Sequence, residues 1–239
     1  MTRHRVLVIS SGRAQDDGLR RLEDAGMELV RRFDLHSRAT EKDVIAAVDG
    51  IWGVIAGNEP YTPRVLEAAT NLRVIARPGV GYDAVAVDAA TRRGIVVFIT
   101  PGINNETVAD FTILLMLSSM RQLPKLDRMV RSGQWQPPDF FTELTRATVG
   151  IVGLGAIGRA VVQRLAAFEC TILAAEPRPD REFCERFGVN VVSFQDLLPQ
   201  VDVLSFHCPL TSETHHMLGR PAGLPAAAPS QWPRAARPG

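Results

Sequence analysis

The chain has 239 residues, of which 46% are hydrophobic and 22% charged, a balance typical of a soluble globular protein. Its 27 basic and 26 acidic residues leave a net charge of +1, which gives no electrostatic case for binding nucleic acid or an anionic membrane. Three cysteines (Cys170, Cys184 and Cys208) form no CxxC pair, which argues against a disulfide scaffold or a metal site and favours a reducing cytoplasm.

Over the first hundred residues, short runs of valine, isoleucine and leucine alternate with amphipathic segments. The first apolar run is too short for a membrane span or a signal-peptide core, so a buried strand is predicted there. The alternation predicts an α/β fold with a flavodoxin-like parallel sheet of about five strands. The predicted strands are Val6–Ser10, Glu28–Arg32, Gly53–Ala56, Val74–Ala76 and Val96–Ile99, and the predicted helices are Ala14–Ala25, Glu41–Val48, Thr62–Ala69 and Val87–Arg93.

Thr100-Pro101-Gly102 interrupts this alternation, and a hinge is expected because proline favours an extended backbone in the residue before it. From Glu106 to Met120 the chain is apolar and lacks glycine and proline, which predicts a largely buried helix. Another helix is predicted over Lys125–Ser132. A second β/α series then follows, with strands Ala147–Val152, Thr171–Ala175, Val189–Val192 and Val203–Phe206 and helices Ile157–Phe168, Arg181–Phe187 and Phe194–Leu198.

The sharpest motif is Gly153-Leu-Gly155-Ala-Ile-Gly158, which lies between a predicted strand and a predicted helix. In a dinucleotide-binding loop the first glycine permits a tight turn, the second lets a pyrophosphate approach, and the third lets the helix pack closely. The N–H groups of Ala156 and Ile157 at the helix start would then face the phosphates. The alternative is that the glycines merely serve tight turns.

Glu176 closes the next predicted strand, where it could accept hydrogen bonds from the ribose hydroxyls of the cofactor. A carboxylate at this point repels a 2′-phosphate, so the sequence favours NAD. Arg178 follows two residues later and leaves NADP open as an alternative cofactor.

Five segments, in order, resemble the D-isomer-specific 2-hydroxyacid dehydrogenase family, in particular its phosphoglycerate-dehydrogenase-like members. They are Val74–Asp83, Ala89–Ile95, Thr100–Asp110, the glycine motif and Asp202–Thr214. One departure is Ala84, which stands where the family often has asparagine. The resemblance implies hydride transfer between NAD and a 2-hydroxy acid, and a homodimer formed through the second domain and its long first helix.

The resemblance also implies the domain organisation. Residues 1–100 are expected to form the flavodoxin-like substrate domain, and residues 101–219 an incomplete Rossmann-type NAD-binding domain. Residues 220–239 hold five prolines, six alanines, three arginines and no acidic residue, so a disordered tail is predicted.

Four residues are implied to bind the substrate. The N–H groups of Val80 and Gly81 would take its carboxylate, since glycines leave amide donors unobstructed, although a plain turn is the alternative. Arg77 matches a family position, and a salt bridge is its alternative role. Asn104 matches an asparagine near the substrate in some members, and it also suits a helix N-cap.

Further cofactor contacts are implied at the end of the strand Val203–Phe206. The resemblance places His207-Cys208-Pro209, and a residue at the position of Thr214, beside the cofactor. This is the sheet edge where ligands bind in open α/β folds. A packed strand-end histidine is the alternative reading of His207.

The resemblance places the catalytic arginine, acid and histidine downstream of Leu218, in Asn-Thr-Ala-Arg-Gly-like and Pro-His-like motifs. Neither motif occurs in the sequence, so no catalytic residue is nominated and a truncated or frameshifted product is expected. A non-catalytic NAD-binding or regulatory protein, or an inert fragment, is the alternative.

Overall fold

The computed structural model describes residues 3–9, 16–35, 38–135 and 142–218. Packing divides the chain into two compact units, Met1–Ile103 and Asn104–Gly239. The tail predicted to be disordered, residues 220–239, lies outside the described residues.

The first unit is a five-stranded parallel sheet with helices between its strands. The strands are β1 (Arg5–Val8), β2 (Glu28–Arg31), β3 (Gly53–Ile55), β4 (Val74–Arg77) and β5 (Val96–Ile99). The helices are α1 (Asp16–Asp24), α2 (Glu41–Ala47), α3 (Pro63–Ala68) and α4 (Val87–Arg92). The strand order β2-β1-β3-β4-β5 is that of a flavodoxin-like sheet, and the predicted α/β fold class is confirmed.

Local sequence explains where these elements lie. Val6, Leu7 and Val8 are all buried, as expected for an inner parallel strand that is covered on both faces. Thr62 caps α3, because its side chain accepts the Val65 N–H at 3.4 Å.

The second unit begins with two consecutive helices, α5 (Asn105–Met120) and α6 (Leu123–Arg131). Its strands are β6 (Thr148–Val152), β7 (Thr171–Ala175), β8 (Val189–Val191) and β9 (Val203–Phe206). Its remaining helices are α7 (Ala156–Leu165), α8 (Arg181–Phe187) and α9 (Phe194–Leu197). The strands are parallel in the order β8-β7-β6-β9, as in the first half of a Rossmann-type sheet.

Helix α5 forms where it was expected, but the prediction that it is largely buried is wrong. Its buried residues are Ala109, Thr112 and Met116, whereas Phe111, Leu114 and Leu115 are more than half exposed. The helix packs on α7 along one face only, and apolar residues around its whole circumference do not reveal which face is covered. No helix among the described residues is long and apolar enough to cross a membrane.

Candidate functional site

The turn between β6 and α7 holds the first glycine of the motif in a conformation that favours glycine. Gly153 has a φ of +94°, in the left-handed region. A Cβ built there would lie 2.8 Å from the backbone nitrogen of Cys208 and 2.9 Å from the carbonyl carbon of His207. Gly153 therefore lets the end of β9 pack directly on the turn.

The third glycine of the motif is required by close packing. A Cβ on Gly158 would lie 2.1 Å from the carbonyl oxygen of Gly153, well inside contact distance. Only a residue without a side chain therefore lets α7 approach the turn this closely.

The second glycine faces open space. A Cβ on Gly155 would meet nothing within 4 Å, and its backbone is extended, with φ −68° and ψ −169°. Helix α7 has no acidic residue in its first turn, and no acceptor among the described residues takes the N–H groups of Ala156 and Ile157. An open approach to free amides at a helix N-terminus fits a phosphate group.

Glu176 follows β7 and reaches the glycine loop. Its Oε2 accepts the Leu154 N–H at 2.8 Å, and its Oε1 accepts the Arg178 N–H at 3.1 Å. Each carboxylate oxygen can accept more than one hydrogen bond, so ribose hydroxyls remain possible partners. The bond to Leu154 places a negative charge directly beside the loop.

Arg159 holds the next peptide group of the loop, on the other side of Leu154, and was missed in the sequence analysis. Its Nε donates to the Leu154 carbonyl at 3.0 Å, and its Nη1 bonds Asp180 at 2.8 Å. The Asp180 pKa is lowered, first by the Phe183 N–H that it accepts as the N-cap of α8 and then by Arg159. The two peptide groups that flank Leu154 are thus held, the first at its N–H by Glu176 and the second at its carbonyl by Arg159.

His207 lies at the end of β9, partly buried. Its backbone N–H donates to the Val152 carbonyl at 2.7 Å, which extends the β6–β9 pairing. Its ring Nε2 lies 2.9 Å from the Ser205 hydroxyl, and burial lowers the pKa of the imidazole. The ring is therefore neutral over a wider range of acidic pH than a solvated histidine.

Thr214 shapes the turn that follows. Its hydroxyl donates to the Pro209 carbonyl at 2.6 Å and accepts the Thr211 N–H at 2.8 Å. Pro209 and Thr214 are thereby brought together, and Cys208 joins them to the glycine loop through its contact with Gly153.

The loop after β4 in the first unit presents free backbone donors. Gly79 anchors this loop. The Gly79 N–H donates to the Arg77 backbone carbonyl, and the Gly79 carbonyl accepts the Thr100 N–H, both at 2.9 Å. The exposed residues Val80 and Gly81 donate their N–H groups to no acceptor among the described residues. Two adjacent free amides suit a carboxylate.

Arg77 stands at the start of this loop. Its Nη1 donates to the Gly57 carbonyl and its Nη2 to Asn58 Oδ1 at 3.0 Å, whereas its buried Nε has no partner among the described residues. The salt bridge considered as its alternative role is absent from the described part of the chain. Its guanidinium is fixed by neutral acceptors.

Asn104 occupies the N-cap position of α5, but its side chain makes no capping hydrogen bond. Its Oδ1 is buried and has no partner among the described residues. The side chain therefore does not serve as the N-cap that the sequence allowed. No group of three or more His, Cys, Asp or Glu side chains in the described ranges could hold a metal ion.

Comparison with known proteins identifies the family. The model of the NAD-binding domain of D-isomer specific 2-hydroxyacid dehydrogenases matches residues 113–222, which include the glycine loop, Glu176 and the turn after β9. The chain belongs to the D-isomer specific 2-hydroxyacid dehydrogenase family.

The relatives support this membership. D-3-phosphoglycerate dehydrogenase of Archaeoglobus fulgidus is 40% identical over 168 residues, covering 70% of this chain and 32% of the relative. The TT0316 protein of Thermus thermophilus superposes with a TM-score of 0.75 at 33% identity, over 91% of this chain and 69% of that one. D-lactate dehydrogenase of Aquifex aeolicus, complexed with NAD and lactic acid, superposes with a TM-score of 0.72 at 25% identity, over 91% and 64%.

The curated relatives are longer than this chain, which spans between 30% and 60% of their lengths. The structure joins the predicted cofactor residues of the second unit through direct contacts around Gly153 and Leu154. It also places Val80 and Gly81 on the loop that directly follows Arg77, the last residue of β4.

Two residues that hold the surroundings of the predicted site residues were missed. Arg159 directly follows the glycine motif, but its partner Asp180 is distant in sequence. Glu59 lies in Gly57-Asn-Glu-Pro60, which reads as an exposed turn, yet its side chain is fully buried. The only sequence signal for this burial was a charged residue that lies between two strand-forming runs.

Proposed function

We propose that this chain binds NAD on its second unit and the carboxylate of a 2-hydroxy or 2-oxo acid on its first. These are the binding steps of NAD-dependent 2-hydroxyacid oxidoreduction. Residues 1–100 would act as the substrate domain and residues 101–219 as the cofactor domain. Three free cysteines support a reducing, cytoplasmic setting.

The open approach to Gly155 carries the cofactor proposal. Gly153 and Gly158 are excluded from bearing side chains by the fold itself, whereas Gly155 has space for one. A glycine at position 155 is explained if a pyrophosphate occupies that space and accepts hydrogen bonds from the N–H groups of Ala156 and Ile157. NAD, when bound there, would supply the hydride acceptor or donor.

The chain's own residues would orient the ligands. Glu176 would accept the ribose hydroxyls, and the backbone at His207–Pro209 and the Thr214 turn would border the nicotinamide end. Val80 and Gly81 would donate their free amides to the substrate carboxylate, on the loop that follows Arg77.

A titration of NADH, followed by its fluorescence, tests this proposal on the whole chain. Saturable binding that NAD competes away is expected, and absence of saturation would contradict the cofactor site. A parallel assay for oxidation of D-lactate and D-glycerate separates a complete catalyst from a binding protein. Turnover would overturn the expectation that this chain lacks catalytic residues.

The charge of Glu176 is expected to set the cofactor preference. Glu176→Gln keeps an oxygen for the Leu154 N–H but removes the charge that repels a 2′-phosphate. The ratio of NADH to NADPH affinity should then fall about tenfold. Glu185→Gln, on the exposed part of α8, is the matched control and should leave the ratio unchanged. An unchanged affinity ratio in Glu176→Gln would contradict the proposal that the Glu176 carboxylate lies beside the cofactor ribose.

We also propose a homodimer formed through α5. Phe111, Leu114 and Leu115 lie on one helix face and are each more than half exposed. A face of this kind on a soluble protein marks an interaction surface.

Leu115→Glu tests the dimer, because it places a charge in the centre of that face. Sedimentation should show a dimer for the unchanged chain and a monomer for Leu115→Glu, with dimer dissociation constants about tenfold or more apart. Val191→Glu adds the same charge to the exposed edge strand β8 and should leave the dimer intact. A chain that is monomeric at all concentrations would contradict this proposal.

A further inference from the structure

Glu59 is buried although it carries a charge. Its side chain is 0% exposed, and it is the only Asp, Glu, Lys, Arg or His that is buried among the described residues. Burial of a carboxylate is costly unless neighbouring donors compensate for the lost water. The proposed function above assigns no role to this residue.

The donors around Glu59 belong to the segment that holds Arg77. Glu59 Oε1 accepts the Gly57 N–H at 2.9 Å and the Tyr61 hydroxyl at 2.8 Å. The carbonyl of the same Gly57 accepts Arg77 Nη1. A Cβ on Gly57 would lie 2.7 Å from Glu59 Oε2, so the carboxylate packs directly against this backbone.

Tyr61 connects Glu59 to the far end of the substrate loop. Its N–H donates to the Ala84 carbonyl at 2.7 Å, and its own carbonyl accepts the Ala86 N–H at 2.9 Å. The phenol is fully buried, and its pKa is raised well above the ordinary value by burial first and by Glu59 second. Tyr61 therefore stays a hydrogen-bond donor to Glu59 throughout the neutral range.

We propose that Glu59 is a positioning residue that fixes the Arg77 guanidinium and the loop carrying the Val80 and Gly81 amides. Arginine has a long flexible side chain, and its guanidinium plane is set only when its acceptors are themselves immobile. Both acceptors of Arg77 lie at Gly57 and Asn58, and Glu59 anchors that segment from its buried side. This inference rests on the proposed function, in which the loop binds a substrate carboxylate.

Chemical labelling of Arg77 in the full chain tests the proposal without requiring catalysis. Phenylglyoxal modifies guanidinium groups, and peptide mass spectrometry gives the rate at Arg77. Glu59→Ala should raise this rate about fivefold or more, because the segment that holds Arg77 loses its buried anchor. Glu59→Gln retains an oxygen acceptor and should stay within about twofold of the unchanged chain.

Two further variants keep the test decisive. Glu41→Gln is the matched control, since Glu41 accepts the Thr62 hydroxyl at 2.5 Å in the same unit but does not contact the segment at Gly57, and its Arg77 rate should not change. Should Glu59→Ala fail to melt cooperatively, Tyr61→Phe decides, with an expected rise of about twofold to fourfold. The positioning role would be overturned by an unchanged Arg77 rate in Glu59→Ala or, if Glu59→Ala does not fold, in Tyr61→Phe.

Oxalate, a small dicarboxylate that resembles a 2-oxo acid, separates this inference from the proposed function. With NADH present, oxalate should slow Arg77 labelling in the unchanged chain and protect it several-fold less in Glu59→Ala. Labelling that depends on Glu59 but not on oxalate would support positioning and contradict substrate binding. Protection of equal size in both chains would contradict positioning and support substrate binding.

Discussion

Replacement of Gly155 by alanine is expected to weaken NADH binding about tenfold or more while the chain remains folded. A Cβ at this position meets nothing within 4 Å of the protein, so the fold accommodates it. Alanine is a poorer N-cap than glycine, which costs about 1 kcal/mol at most. The added methyl would instead occupy the space assigned to the pyrophosphate. Fluorescence titration gives the affinity, and a thermal melt gives the stability.

The matched control for this prediction is Gly18→Ala. Gly18 is an exposed glycine within α1, and a Cβ there also meets nothing within 4 Å. Alanine should stabilise this helix by about 0.5–1 kcal/mol and leave NADH affinity unchanged. Equal affinities for Gly155→Ala and Gly18→Ala would show that nothing approaches the backbone at Gly155.

Replacement of Gly158 by alanine should have the opposite signature, with loss of the fold rather than loss of binding alone. Its Cβ would lie 2.1 Å from the Gly153 carbonyl oxygen, which is backbone and cannot move aside as a side chain would. Helix α7 must shift away from β6, in a core where Val161, Val162 and Leu165 are buried. Overpacking typically costs about 1–3 kcal/mol, and a clash with backbone is expected at the upper end of that range.

Urea denaturation measures this cost directly. Gly158→Ala should show a markedly lower midpoint than the unchanged chain, and Gly155→Ala a midpoint close to it. A Gly158→Ala chain as stable as the unchanged one would contradict the close packing of α7 on the turn. The alanine pair thus separates the glycine that serves the fold from the glycine that serves the ligand.

The sequence predicted most of the strands because their patterns are local. Val96–Ile99, Thr171–Ala175 and Val203–Phe206 have the predicted bounds, since each is a short apolar run bordered by polar or turn residues. The glycine loop was predictable for a similar reason, because its turn, approach and packing requirements fall within six residues.

Other features depend on contacts between distant residues and could not be predicted in this way. The exposed face of α5 is set by which side meets α7, and residues 106–120 are apolar on every side. Glu59 is buried because Tyr61 and Gly57 fold over it, although Asn-Glu-Pro suggests a surface turn. Arg159 gains its role only when α8 brings Asp180 beside α7.

Hydrogen–deuterium exchange with and without NAD tests the central claim most directly. We expect NAD to slow amide exchange in peptides that contain residues 153–159 and, to a smaller extent, in those around Glu176. Peptides from the first unit's α2, remote from the substrate loop in sequence, serve as the internal reference. Unchanged exchange across residues 153–159 at saturating NAD would contradict the claim that the free amides of this turn receive the cofactor's diphosphate.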